Sequence, residues 1–167
     1  MSEERLGWLV VVLATDPLLS DIQAEPESRM DVERELPFMM HVSVGGRDCF
    51  IRGRMDAVTL SNPPRIIDYK YAAWREGAEL AYELQMATYC LATMNNLNVE
   101  RAISELWFLK TPMKVVRREF TRSEAEATIT GLLQRYFESL SSGDWPMAER
   151  THCDAVACGF RERCWTK

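Results

Sequence analysis

The run from Arg65 to Lys70 narrows the choice of fold more than any other stretch of this chain. Ile66, Ile67 and Tyr69 favour an extended backbone, and Pro63 and Pro64 turn the chain just ahead of them. Before that turn lies a strand-like run from Asp48 to Leu60, joined through Gly45 and Gly46 to another from Glu33 to Val44. Tight turns of this kind pair strands antiparallel. After Lys70 comes a helical stretch, Glu76 to Asn95, in which Leu80, Leu84, Ala87 and Leu91 recur at spacings of three and four. A fourth strand-like run, Val99 to Leu109, follows it. A helix between two strands permits a parallel crossover. A mixed sheet follows, with the strand at 65–70 covered on at least one face and the site expected at one sheet edge.

The remaining segments fit the same scheme. Thr111 and Pro112 turn the chain into a fifth strand, Lys114 to Phe120. A second helix, Ser123 to Leu140, takes Thr121 or Ser123 as its cap and Ile129, Leu132, Leu133, Tyr136 and Phe137 as its apolar face. Residues 4–24 read as one or two short buried helices broken near Asp16 and Pro17, and residues 25–31 as a polar link. Residues 145–167 read as a cysteine-containing tail with little regular structure. The expected class is α/β, a mixed central β-sheet flanked by helices on both faces, in a single domain over residues 1–167. Composition agrees, with 47% apolar and 27% charged residues, which excludes a disordered chain. A net charge of -5 excludes a surface coated in basic residues, so any contact with nucleic acid must be local. The apolar run from Trp8 to Ala14 is too short to span a bilayer and lacks a basic leader. The cysteine count of 5 is odd, which suits a reducing compartment, so the expectation is a cytoplasmic protein with no membrane partner.

Side chains alternate along a strand, so Asp68 and Lys70 share one face. A hairpin across Ser61 to Pro64 brings Asp56 beside Asp68. Two carboxylates and the backbone carbonyl of Tyr69 make an oxygen-rich site suited to a hard cation such as Mg²⁺ or Mn²⁺. Lys70 cannot ligate a metal while protonated, but it can orient a water or offset developing charge. Glu35, on the neighbouring strand, can reach the same ion or a second one. Gln85 and Tyr89 are four apart and stack on one side of their helix. Taken singly, each of these is ordinary: an exposed sheet pair, a hairpin-closing acid, a half-buried helix face. The joint pattern carries the chemistry.

That pattern, Glu35-Leu36-Pro37-Phe38, Gly53-Arg54-Met55-Asp56, Ile67-Asp68-Tyr69-Lys70 and Gln85-Met86-Ala87-Thr88-Tyr89, resembles the RecB-type branch of the PD-(D/E)XK nuclease superfamily over roughly residues 18–164. The resemblance implies a restriction-endonuclease-like core and a Mg²⁺- or Mn²⁺-dependent deoxyribonuclease of exonuclease type. Such domains work in recombination and repair on single-stranded or duplex DNA ends, with a helicase domain or subunit as in AddAB- or RecBCD-like complexes. It implies metal binding by Asp56 and Asp68, catalysis by Lys70, and support from Gln85, Tyr89 and Glu35. The alternative is a non-catalytic structural or DNA-binding module of a helicase–nuclease complex. A third class is a metal-dependent enzyme acting on small nucleotides.

Two departures from the family's pattern stand out. The family has a metal-binding histidine on an early helix, whereas His41 and His152 are the only histidines here. The chain is thus a fragment, a divergent copy, or one with a weakened metal site. Tyr71 also stands where a threonine usually follows the lysine. The tail, Cys158 to Cys164, is similar to the end of the iron–sulfur version of this branch. The third ligand position falls on Ala155, however, while Cys153 lies five before Cys158, and no cysteine precedes Cys49. Cys153, Cys158 and Cys164 therefore read as a remnant 4Fe–4S site with free thiols, or as a Zn²⁺ site completed by His152. Cys49 and Cys90 read as small buried hydrophobes.

Arg52 and Arg54 should face the same way as Asp56. Together with Arg75, Lys110, Lys114, Arg117 and Arg118 they are candidate phosphate contacts, while Tyr71 or Trp74 can stack on a base. Nothing in the sequence reads base identity, so binding should be weak, salt-sensitive and without sequence preference.

Overall fold

A computed structural model describes residues 32–146, 150, 153 and 158–165. The helices expected at 4–24, the link at 25–31 and His152 lie outside the described residues. Residues 33–167 form one of two compact units into which the chain divides. Within it the order is β1 (Val32–Val44), β2 (Arg47–Thr59), β3 (Arg65–Lys70), a 3₁₀ turn (Ala78–Tyr82), α1 (Glu83–Leu97), β4 (Arg101–Phe108), β5 (Lys114–Thr121), α2 (Arg122–Ser142) and α3 (Arg161–Trp165).

The five strands form one sheet in the order β1-β2-β3-β4-β5. Gly45 and Gly46, both left-handed (φ 58° and 75°), make the two-residue turn between β1 and β2. β3 pairs antiparallel with β2 and parallel with β4, in the register Asp68–Leu106 and Lys70–Phe108. β5 closes the sheet antiparallel to β4, with Lys114 opposite Phe108. The mixed sheet flanked by helices is thus the expected architecture.

Both long helices pack on one face. Met86, Ala87, Cys90, Leu91 and Met94 of α1 and Ala125 and Ile129 of α2 join Met55, Val58, Ile66, Leu106, Phe108 and Phe120 in a single apolar cluster. The opposite face has no long helix among the described residues, so the expectation of helices on both faces is met on one. Arg122 explains why α2 lies beside α1: its guanidinium donates to the carbonyls of Met94 (3.1 Å) and Val99 (2.9 Å), where α1 ends. Carbonyls at a helix C-terminus carry partial negative charge and keep a free lone pair, so a cation is favoured there.

The stripe expected on the first helix is displaced. Leu80 is 69% exposed and Leu84 38%, whereas Met86 and Cys90 are buried. The 3₁₀ turn, with three residues per turn, occupies 78–82, so the 3.6-residue period starts only at Glu83. Asn95 and Asn96 do not stop α1; Asn98 does, with φ 52° and its N–H on the Met94 carbonyl. In α2, Ile129 is buried, but Leu132 and Tyr136 are exposed. The tail contains a short helix at 161–165, where the Cys164 N–H donates to the Phe160 carbonyl (3.1 Å).

Thr121 caps α2 in a reciprocal box with Glu124. Its hydroxyl and backbone N–H satisfy groups that otherwise have no partner. Replacing Thr121 by Ala should cost about 1 kcal/mol in urea unfolding. A loss indistinguishable from zero would show that packing alone sets where α2 starts.

Candidate active site

The C-terminal end of β3 gathers most of the residues expected there. Asp68 is 3% exposed, and its Oδ2 lies 2.6 Å from Lys70 Nζ. Gln85 projects from the first turn of α1 between them. Its Oε1 accepts from Lys70 Nζ (3.0 Å), while its Nε2 donates to Asp68 Oδ1 (3.1 Å) and to Tyr89 Oη (2.9 Å). Every donor and acceptor of that amide is directional here. The reverse orientation would set an NH₂ against the ammonium. Lys70 Nζ also lies 4.2 Å from the centre of the Tyr82 ring, a cation–π contact. Tyr82 precedes Gln85 by three, which makes it a neighbour on the helix surface. Sequence reasoning placed Tyr82 on the helix but gave it no part in the site; the lysine's position on β3 decides that.

Asp56 is half-buried and accepts the backbone N–H of Tyr69 on Oδ2 (2.8 Å). It lies one residue beyond Ala57, the last β2 residue paired with β3 (opposite Ile67), and so borders Asp68. Met55 and Val58, three apart, both enter the apolar cluster. The in–out alternation therefore breaks between them. Irregularities of this kind re-aim side chains at sheet ends. Burial raises the Asp68 carboxyl above the usual carboxylate range; Lys70 opposes this shift, and the negative charge of Asp56 adds to it.

Glu35 does not join this group. It is exposed, with φ 51°, and faces Arg54 at 3.5 Å. Arg54 is thus engaged by Glu35, Arg117 by Glu105 (2.8 Å) and Arg118 by Glu83.

Gly53 is small for a packing reason. A Cβ there would lie 2.7 Å from Phe38 Cε1. Phe38 is itself buried and packs edge-on against Tyr89 (5.6 Å between ring centres). Its ring cannot retreat without pushing Tyr89, which holds Gln85. Gly53→Ala should cost about 1–3 kcal/mol by overpacking and slow any chemistry at Lys70. A variant as stable and as active as wild type would show that Phe38 yields freely.

The metal-binding fit is mixed. Asp68 Oδ2 is buried without a well-directed hydrogen bond, and the charge it faces is the Lys70 ammonium at 2.6 Å, which a divalent ion would have to share or displace. With Asp56 and the Tyr69 carbonyl, Asp68 forms an all-oxygen donor set suited to Mg²⁺ or Mn²⁺. Among the described residues, no three His, Cys, Asp or Glu side chains come together as a metal site. That finding also covers the tail. Cys153 is buried, Cys158 and Cys164 are half-buried, and all three are free thiols. They do not converge, so the described residues do not fit a 4Fe–4S cluster or Zn²⁺. Cys158 and Cys153 are linked only by a backbone hydrogen bond (2.9 Å). Cys90 is fully buried and its thiol is pushed up to about 12 by burial, as expected of a packing residue; Cys49 is half-buried.

The sequence matches the profile of the PD-(D/E)XK nuclease superfamily over residues 8–165. The chain belongs to that superfamily. No curated protein matches the sequence. Two solved structures resemble this superfamily member. SSO0001 is 19% identical, with a TM-score of 0.49, covering 94% of this chain and 78% of its own. A protein from Eubacterium rectale provisionally assigned as an exonuclease is 14% identical, with a TM-score of 0.50, covering 86% of this chain. The present chain spans 55% of the length of that protein. At this identity the second likeness speaks to the fold, a restriction-endonuclease-like core. No helix among the described residues is long and apolar enough to cross a membrane.

Proposed function

We propose that this chain is a RecB-type, Mg²⁺- or Mn²⁺-dependent deoxyribonuclease that hydrolyses phosphodiester bonds at DNA ends during recombination and repair, beside a helicase domain or subunit. The observation that carries the reading is the hydrogen-bonded set Asp68–Lys70–Gln85–Tyr89, with Asp56 at its edge. Superfamily membership supports it.

Asp56 and Asp68, with the Tyr69 carbonyl, would hold the metal. A bound divalent ion supplies polarisation of the phosphate and a more acidic water. The residues do the rest. Lys70 presents a cation where the attacking water and the phosphate oxygens meet, lowering the cost of charge developing in the transition state. Gln85 fixes the Asp68–Lys70 pair in place, because it accepts from Lys70 while donating to Asp68. Tyr89 fixes the Gln85 amide, and Tyr82 holds the inner side of the ammonium. Water adds to phosphorus, the phosphorus–oxygen ester bond breaks, and the products are one phosphate terminus and one hydroxyl terminus.

The test is end-labelled single-stranded DNA incubated with Mn²⁺ or with EDTA. Shortened products in Mn²⁺ and none in EDTA are expected; intact substrate in both would refute the proposal. A second reading, a non-catalytic module of a helicase complex, draws on the family's early histidine having no counterpart in this sequence and on there being no three-side-chain metal group among the described residues. Calorimetric titration separates the two, since a relic should take up no Mn²⁺ at Asp56 and Asp68.

A further inference from the structure

The loop directly after Lys70 carries the exposed aromatic residues Tyr71 and Trp74, and each has a lysine over its ring. Tyr71, 55% exposed, has Lys110 Nζ 5.2 Å from its ring centre. Trp74, 37% exposed, has Lys114 Nζ at 5.4 Å. The aromatics come from the loop after β3, Lys110 from the connection between β4 and β5, and Lys114 from the first position of β5, and backbone bonds join the loop to the connection. The Leu109 N–H donates to the Lys70 carbonyl (2.9 Å) and the Lys110 N–H to the Ala72 carbonyl (3.2 Å). Trp74 is steadied by its indole N–H on Glu79 (3.2 Å). Lys70, Phe108 and Lys114 stand opposite one another on three adjacent strands. Paired residues share a sheet face, so Lys114 lies on the same side as Lys70, about 9.6 Å away at the backbone.

Arg54, Arg117 and Arg118 are held by carboxylates, whereas Lys110 and Lys114 are seen against aromatic faces. An aromatic face offers stacking to any base, and a lysine beside it offers charge to a phosphate. Stacked bases in a duplex hide their faces; a single strand exposes them. We propose that Tyr71–Lys110 and Trp74–Lys114 form a ledge that holds single-stranded DNA beside Lys70 and discriminates against duplex. The inference rests on the nuclease reading for its substrate, but its test does not need cleavage.

The test measures binding of fluorescein-labelled oligo-dT and of a mixed-sequence duplex of equal length to the full chain, by anisotropy in EDTA. Tyr71→Ala and Trp74→Ala should each weaken oligo-dT binding about tenfold. Duplex binding should change less than about twofold, and thermal midpoints should match wild type. Lys110→Gln and Lys114→Gln should each lower the slope of log K against log salt by about 0.7 on the single strand. Wild-type oligo-dT affinity in both aromatic variants, or equal losses on single strand and duplex, would overturn the ledge. Because no hydrolysis is read, a chain that binds as expected yet never cuts DNA refutes only the nuclease reading.

Discussion

Asp68→Asn should abolish DNA cleavage while leaving the fold intact, with a rate loss of about 10³-fold or more in Mn²⁺. The substitution keeps the shape of the side chain and removes the charge that a divalent cation needs. Asp68 is buried at the end of β3 with its Oδ2 against Lys70, so its charge sits at the centre of the hydrogen-bonded set. Thermal unfolding with and without metal provides an independent reading. Mn²⁺ at about 100 times its dissociation constant should stabilise the wild type by about 2.7 kcal/mol and leave Asp68→Asn unmoved. Undiminished cleavage by the variant would sink the assignment of Asp68.

The same pair of proteins should differ in pH dependence when metal is absent. Burial raises the Asp68 carboxyl above its ordinary 3.8, against the pull of Lys70. A raised carboxyl contributes stability when protonated and loses it on ionising. The stability of wild type relative to Asp68→Asn should therefore be greatest below pH 3.8 and fall as pH rises through the raised value. A relative stability that climbs with pH over that window would mean that Lys70 outweighs burial.

Phe108→Ala should cost about 3–5 kcal/mol in urea unfolding, a large share of the roughly 5–15 kcal/mol that holds a typical domain together. Phe108 is 1% exposed at the end of β4, opposite Lys70 on β3. Its ring meets Tyr82 edge-on at 6.2 Å, and Tyr82 in turn lies against the Lys70 ammonium. The cavity would thus open directly beneath the site. Activity should fall along with stability even where the variant remains folded. A loss below about 1 kcal/mol would show that α1 settles into the gap.

Much of this molecule is legible along the chain. Hairpin turns, a helix between two strands and period-two alternation depend on neighbouring residues, so β1 to β5 are found within one or two residues of their expected limits. Alternation alone puts Asp68 and Lys70 on one face, and the short turn brings Asp56 alongside. The apolar stripe of α1 differs from the one its spacing predicts because a 3₁₀ turn delays the α-helical period, and no sequence signal marks that change at Tyr82. Glu35 is expected beside Asp56 and Asp68 because its strand neighbours β2, whereas the contact seen for its exposed carboxylate is Arg54, from a backbone with φ 51°.

What the sequence by itself determined is the succession of strands and helices, room for a parallel crossover and the acid–acid–lysine set around β3. These follow from local periodicity and from chain connectivity; the spatial order of the strands came from the fold. Only the tertiary structure decided that Gln85 bridges Asp68 and Lys70, that Tyr82 backs the ammonium, and that Gly53 must admit the Phe38 ring. Those contacts join residues up to 17 apart in sequence, across a helix and a sheet. Their geometry is set by how the two surfaces pack, which no single segment encodes.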